Sequence, residues 1–120
     1  MIAHGNSAGT AVDNVTFTLT LTAGKNPVDL TPGRTVISYT DKYQYLNNTT
    51  WSISWVGEQE TADNILEFGE KAEITVDLTG LSHALGTNTE FTLEVKPPEG
   101  ASLTITRTTP SAIDDVMNLH

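Results

Sequence analysis

The chain has 120 residues, enough for one domain with a core of its own. Six Lys and Arg stand against fifteen Asp and Glu, a formal charge of −9, so the positive footprint that nucleic acid or an anionic membrane demands is missing. Cysteine is absent, which excludes disulfides and thiolate chemistry, and the longest purely apolar stretches are too short to span a bilayer.

Residues 1–14 are small and polar (Gly5, Asn6, Ser7, Ala8, Gly9, Thr10) and read as a leader or linker rather than core. Val15 to Thr22 then alternates apolar residue and threonine. Period two sets Val15, Phe17, Leu19 and Leu21 on one strand face and the threonines on the other. Gly24-Lys25-Asn26-Pro27 and Leu30-Thr31-Pro32-Gly33 carry turn punctuation before a second strand at Thr35 to Thr40. Asp41 to Thr50 reads as a polar, aromatic-rich loop, and Trp51, Ile53 and Trp55 alternate with serines in a third strand.

Gly57 to Asn64 is an acidic loop and Ile65 to Phe68 a short apolar piece. Lys71 to Leu78 alternates again, with Ala72, Ile74, Val76 and Leu78 on one side, and so does Phe91 to Lys96. Pro97-Pro98-Glu99-Gly100 turns the chain into a last clear strand, Ala101 to Arg107. In the tail, Ile113, Val116 and Met117 have helix-like spacing that an extended segment docked on a sheet would satisfy equally. About seven strands punctuated by turns, with no sustained helical period, predict an all-β antiparallel sandwich or barrel.

Catalytic signatures are absent. His4, His83 and His120 lack the paired spacing of a zinc site, and no nucleophile elbow occurs. The acidic residues Glu58, Glu60, Asp63, Glu67, Glu70, Glu73 and Asp77 read as a solvated face, with no calcium-loop motif among them. Asn14, Asn47 and Asn48 open Asn-x-Thr glycosylation acceptors, and the adjacency of the last two admits one glycan at a time. Tyr39, Tyr43, Tyr45, Trp51 and Trp55 form an aromatic cluster. Its tryptophans share a strand face and are assigned to the core, while the alternative is a sugar-stacking platform. Asp41, Gln44, Asn47 and Asn48 gather oxygen donors of the kind that hard cations prefer, and an Asp41 turn bonded to its own backbone satisfies the same residues.

Four pieces in this order resemble the outer β-domain of archaeal flagellins, the archaellins. They are Leu19-Thr20-Leu21-Thr22-Ala23-Gly24 leading to Pro27-Val28-Asp29-Leu30; Val36-Ile37-Ser38-Tyr39-Thr40-Asp41; Leu66-Glu67-Phe68-Gly69-Glu70; and Pro97 to Arg107 followed by Pro110. The resemblance runs from about Val12 to the C-terminus, making 13–120 the β-domain and 1–12 a linker that follows a missing hydrophobic helix. It implies an extracellular, non-enzymatic structural subunit of the archaellum, the filament used for motility. Its partners would be copies of itself or related archaellins, joined through that helix, and the domain alone would be monomeric or weakly associating. N-glycosylation and one structural divalent cation, calcium or magnesium, are implied too. The alternative reading is an extracellular carbohydrate-binding or adhesin-like module.

Overall fold

Eleven antiparallel strands are seen in a computed structural model that describes residues 1–6, 8–20, 27–31, 33–56, 65–67, 69–98 and 102–119. They are β1 (Ile2–Gly5), β2 (Val12–Thr20), β3 (Val28–Asp29), β4 (Val36–Asp41), β5 (Tyr45–Leu46), β6 (Thr50–Val56), β7 (Ile65–Leu66), β8 (Lys71–Asp77), β9 (Glu90–Lys96), β10 (Leu103–Thr108) and β11 (Val116–Asn118). One sheet has the order β11-β1-β2-β8-β6, the other β10-β9-β4-β5, and β3 pairs with β7. Of the expected sandwich or barrel the sandwich is found, with eleven strands rather than about seven because five of them are only two to four residues long.

Alternation decides which side chains meet. Ala72, Ile74 and Val76 of β8 and Phe91, Leu93 and Val95 of β9 are buried, while residues between them reach water. All of these except Ala72 join Val15, Phe17, Ile37 and Tyr39 in one core between the two sheets. Each such side chain contributes roughly 1.5–3 kcal/mol on leaving water. A smaller cluster of Leu30, Leu66 and Ala72 closes one end, and it is what the short β3–β7 pair covers.

The first strand begins earlier than period two predicts. Val12 and Val15 are both buried although three residues apart. The cause is a bulge: His4 faces Asn14 but Gly5 faces Val12, so Asp13 is an extra residue on β2. One extra residue shifts the pleat by a step and returns Val12 to the core side. The far end of the predicted strand, Leu21 and Thr22, lies outside the described residues. So do the turn at 24–26, Pro32, the 57–64 loop, Phe68, the 99–101 turn and His120.

The N-terminal stretch read as linker contains a strand. β1 lies between β2 and β11, and Ala3 is fully buried. Four residues are too few to show a period, and β1 is stabilised by neighbours on both sides rather than by its own pattern. The tail takes its extended alternative: Met117 of β11 faces Ala3 and is buried, and Val116 is exposed. The loop after Asp41 contains the two-residue β5, paired with β4.

Candidate functional site

The Asp41 region is built on the end of β4. Tyr39 is fully buried and its ring stacks with that of Phe91, centroids 6.0 Å apart. Its hydroxyl donates to Asp41 Oδ2 at 2.6 Å. The same Asp41 oxygen accepts from Gln44 Nε2 at 3.2 Å, while Oδ1 accepts from the backbone N–H groups of Tyr43 (2.7 Å) and Gln44 (3.0 Å). Gln44 then reaches across to a distant loop: Nε2 donates to the His83 carbonyl at 2.6 Å, and Oε1 accepts from the His83 N–H at 3.3 Å. Above this clamp the Tyr43 ring stacks on the His83 ring at 3.8 Å, with Lys42 Nζ 5.0 Å from the Tyr43 centroid.

This is a structural brace. Burial pushes the Asp41 carboxyl up, but the donors from Tyr39, Tyr43 and Gln44 outweigh it and hold the group below the usual carboxylate range. Burial, aided by the Asp41 charge and hydrogen bond, pushes the Tyr39 phenol far above its ordinary value. Neither group is poised to exchange a proton near neutrality. Because Asp41 is more acidic folded than unfolded, its contribution to stability is complete above about pH 4 and is lost as pH falls through the folded value. Asp41→Asn should therefore lower the melting temperature at neutral pH and shrink that difference on acidification. Melts across pH 2–7 check it, and a neutral-pH difference that persists unchanged in acid would contradict it.

The same geometry tests the cation that the resemblance implies. A carboxylate offers about four lone-pair positions, and four donors already converge on Asp41. The Gln44 oxygen faces the His83 N–H, and Asn47 and Asn48 are exposed. Among the described residues no three His, Asp or Glu side chains gather into a metal-binding group. As arranged, this loop does not fit a cation, which would have to displace its donors. Melts with EDTA and with added calcium or magnesium should coincide, with Asp41→Ala lowering each. A cation-dependent gain that Asp41→Ala abolishes would show that displacement happens.

The sequons differ in access. Asn14 lies within β2, partly buried, its Oδ1 2.9 Å from His4 Nδ1, whereas Asn47 and Asn48 are exposed between β5 and β6. The aromatic cluster is divided between core and surface. Tyr39 is core, Trp51 and Trp55 are half-buried on the inner face of β6, and Tyr43 and Tyr45 are exposed. Glu73 and Asp77 are exposed, as read, and Asp77 caps its turn by accepting from the Thr79 N–H at 2.9 Å. The partnership of Gln44 with His83 had no sequence signal, because 39 residues separate them.

Comparison with known proteins places these features in a family. The family profile "Archaeal-type flagellin" matches residues 2–107. "Probable flagellin 1" of Archaeoglobus fulgidus is 35% identical over an alignment covering 99% of this chain and 66% of that protein. "Probable flagellin 2" of the same organism is 34% identical, over 95% and 61%. The chain thus spans just under two thirds of the length of these relatives. The fold is similar to the crystal structure of archaeal flagellin FlaB1 from Methanocaldococcus jannaschii, with TM-score 0.84, 16% identity, and 98% and 91% of the two chains covered. It is also similar to the archaeal flagellum of Methanospirillum hungatei strain JF1, with TM-score 0.70, 22% identity, and 95% and 67% covered. The archaellum periplasmic stator protein FlaG of Sulfolobus acidocaldarius follows at TM-score 0.57, 16% identity, and 88% and 97% covered. At these identities the structural likenesses speak for the fold, and the sequence matches carry the assignment: the chain belongs to the archaeal-type flagellin family.

Proposed function

We propose that this chain is the outer β-domain of a structural subunit of an archaeal surface filament used for motility, working outside the cell and without catalysis. The observation that carries the reading is the 35% identity to a probable flagellin across 99% of the chain. The molecule is suited to the role: its polar groups are spent on bracing loops and capping turns. In this reading the domain faces water, and subunits are joined by an apolar helix preceding it, so the domain alone is monomeric at micromolar concentration. Exposure at Asn47 and Asn48 supports one glycan on that loop.

The coding sequence upstream of Ile2 tests the reading. A run of about twenty apolar residues behind a short basic leader is the expected result. A cleavable secretory signal with no such run would overturn it. Loss of filaments and of swimming on deletion of the gene is the matching expectation in cells.

A further inference from the structure

Two long sheet edges are left open. Among the described residues β6 pairs only with β8, and β10 only with β9. The other edges of these two sheets, β5 and β11, are two and three residues long. Natural sheets guard such edges with charge, proline or bulges. The seven residues of β6, Thr50-Trp51-Ser52-Ile53-Ser54-Trp55-Val56, contain none of these, and the six of β10 contain only Arg107.

Both edges also carry inner-face side chains that their own sandwich leaves partly uncovered. Trp51, Ile53 and Trp55 are half-buried. Leu103 faces buried Val95 in register yet is 43% exposed. Beside β10 runs a groove of about 410 Å³ whose apolar walls are Met1, Ile2, Phe17, Leu19, Leu103 and Ile105, with Glu73 of β8 also lining it. Arg107 lies at this groove, its Nη1 donating to the Thr106 carbonyl at 2.7 Å while its Nε is covered and faces no acceptor. Arg34 pairs with Asp29 and Lys96 with Glu94, but Arg107 has no carboxylate partner among the described residues.

We infer that β10 and its groove receive β6 of a second copy, joining copies edge to edge and head to tail. The choice of partner rests on the filament reading; the surface rests on the structure. Charge favours the match. Two chains of −9 repel over most of their surfaces, whereas the two edge strands and the groove together carry one positive charge, Arg107, and one carboxylate, Glu73, and so are close to neutral. The inner row of β6 brings two indoles, whose faces suit a guanidinium that no carboxylate holds. The two edges are separate patches: β10 borders the sheet of β9 and β4 and its groove is lined mainly from β1 and β2, whereas β6 borders the other sheet, two strands beyond β2. A patch that meets a different patch on the next copy generates a ring or, where the rotation does not close, an open array, rather than a two-fold dimer.

Backbone hydrogen exchange on this chain at micromolar and millimolar concentration, in moderate salt, tests the pairing. Amides of both β6 and β10 should slow at least about threefold at the higher concentration, with β5 and β11 unchanged. Arg107→Gln should weaken that protection on both strands, and an edge lysine, Ser54→Lys, should remove it without changing the melt. Unchanged exchange at both concentrations, or protection confined to β5 or β11, would overturn the inference. Protection of β6 alone or β10 alone would mean like edges pair, and would overturn the head-to-tail arrangement. The upstream apolar run is read independently of these amides, so either reading can fail alone.

Discussion

Phe91→Ala is expected to cost about 3–5 kcal/mol, the usual range for emptying a buried aromatic site. Phe91 is fully buried on the inner face of β9 near its start, and its ring stacks on that of Tyr39. Its removal opens a cavity beside the residue whose hydroxyl anchors Asp41. The loss should therefore reach the Gln44–His83 clamp as well as the core. A drop in melting temperature of roughly 10–20 °C follows for a domain of this size. The exposed neighbour pair Thr92–Thr106, with hydroxyls 3.1 Å apart, supplies the contrast: Thr92→Ala should shift stability by about 0.5 kcal/mol or less. Comparable losses in the two variants would mean that the sheets do not bury the faces described.

Gly5→Ala is the second large effect, and space rather than backbone angle is the reason. Gly5 closes β1 beside the bulge, and its N–H is shared between the Asp114 and Asp115 carbonyls at 3.1 and 3.2 Å. A β-carbon there would collide with the Asp114 carbonyl oxygen and sit 2.5 Å from Ile113 Cγ2. Backbone yields less readily than the end of a flexible side chain, so β11 and its approach must move off β1. The expected loss is about 2–4 kcal/mol, with early proteolysis in the tail beyond Thr109. Gly80→Ala is the control, since a β-carbon at Gly80 meets nothing within 4 Å, and it should be neutral or slightly stabilising. Equal melts for the two alanine variants would show that the tail is not held against β1 as described.

The strands legible in the sequence are those long enough to repeat a period. β8 shows it most plainly: Ala72, Ile74 and Val76 are buried and Lys71, Glu73 and Asp77 exposed, because successive side chains of a pleated strand take opposite faces. Strands of two to four residues (β1, β3, β5, β7 and β11) have no room for that signal and exist because a neighbour offers them a ladder. Trp51 and Trp55 show the intermediate case. Their shared inner face was readable, but their half-exposure follows from β6 being an edge, which no local pattern records.

Residue type and spacing were enough for the all-β class, the inner faces of the long strands, the exposure of Glu73 and Asp77 and, through matching segments in order, the family. Each is a local or compositional property, set by residue type and spacing along one stretch of chain. The remaining features come from contacts between strands distant in sequence. The Asp13 bulge appears only against the register of β1 and β2. The Asp41 carboxylate is saturated by donors that converge from Tyr39, Tyr43 and Gln44, and the clamp closes on His83, 39 residues away. That β6 and β10 each have one partner strand among the described residues arises from strand order. Hydrogen-bond saturation and edge exposure are properties of which strands become neighbours, and that is settled by packing two sheets face to face rather than by any stretch of sequence.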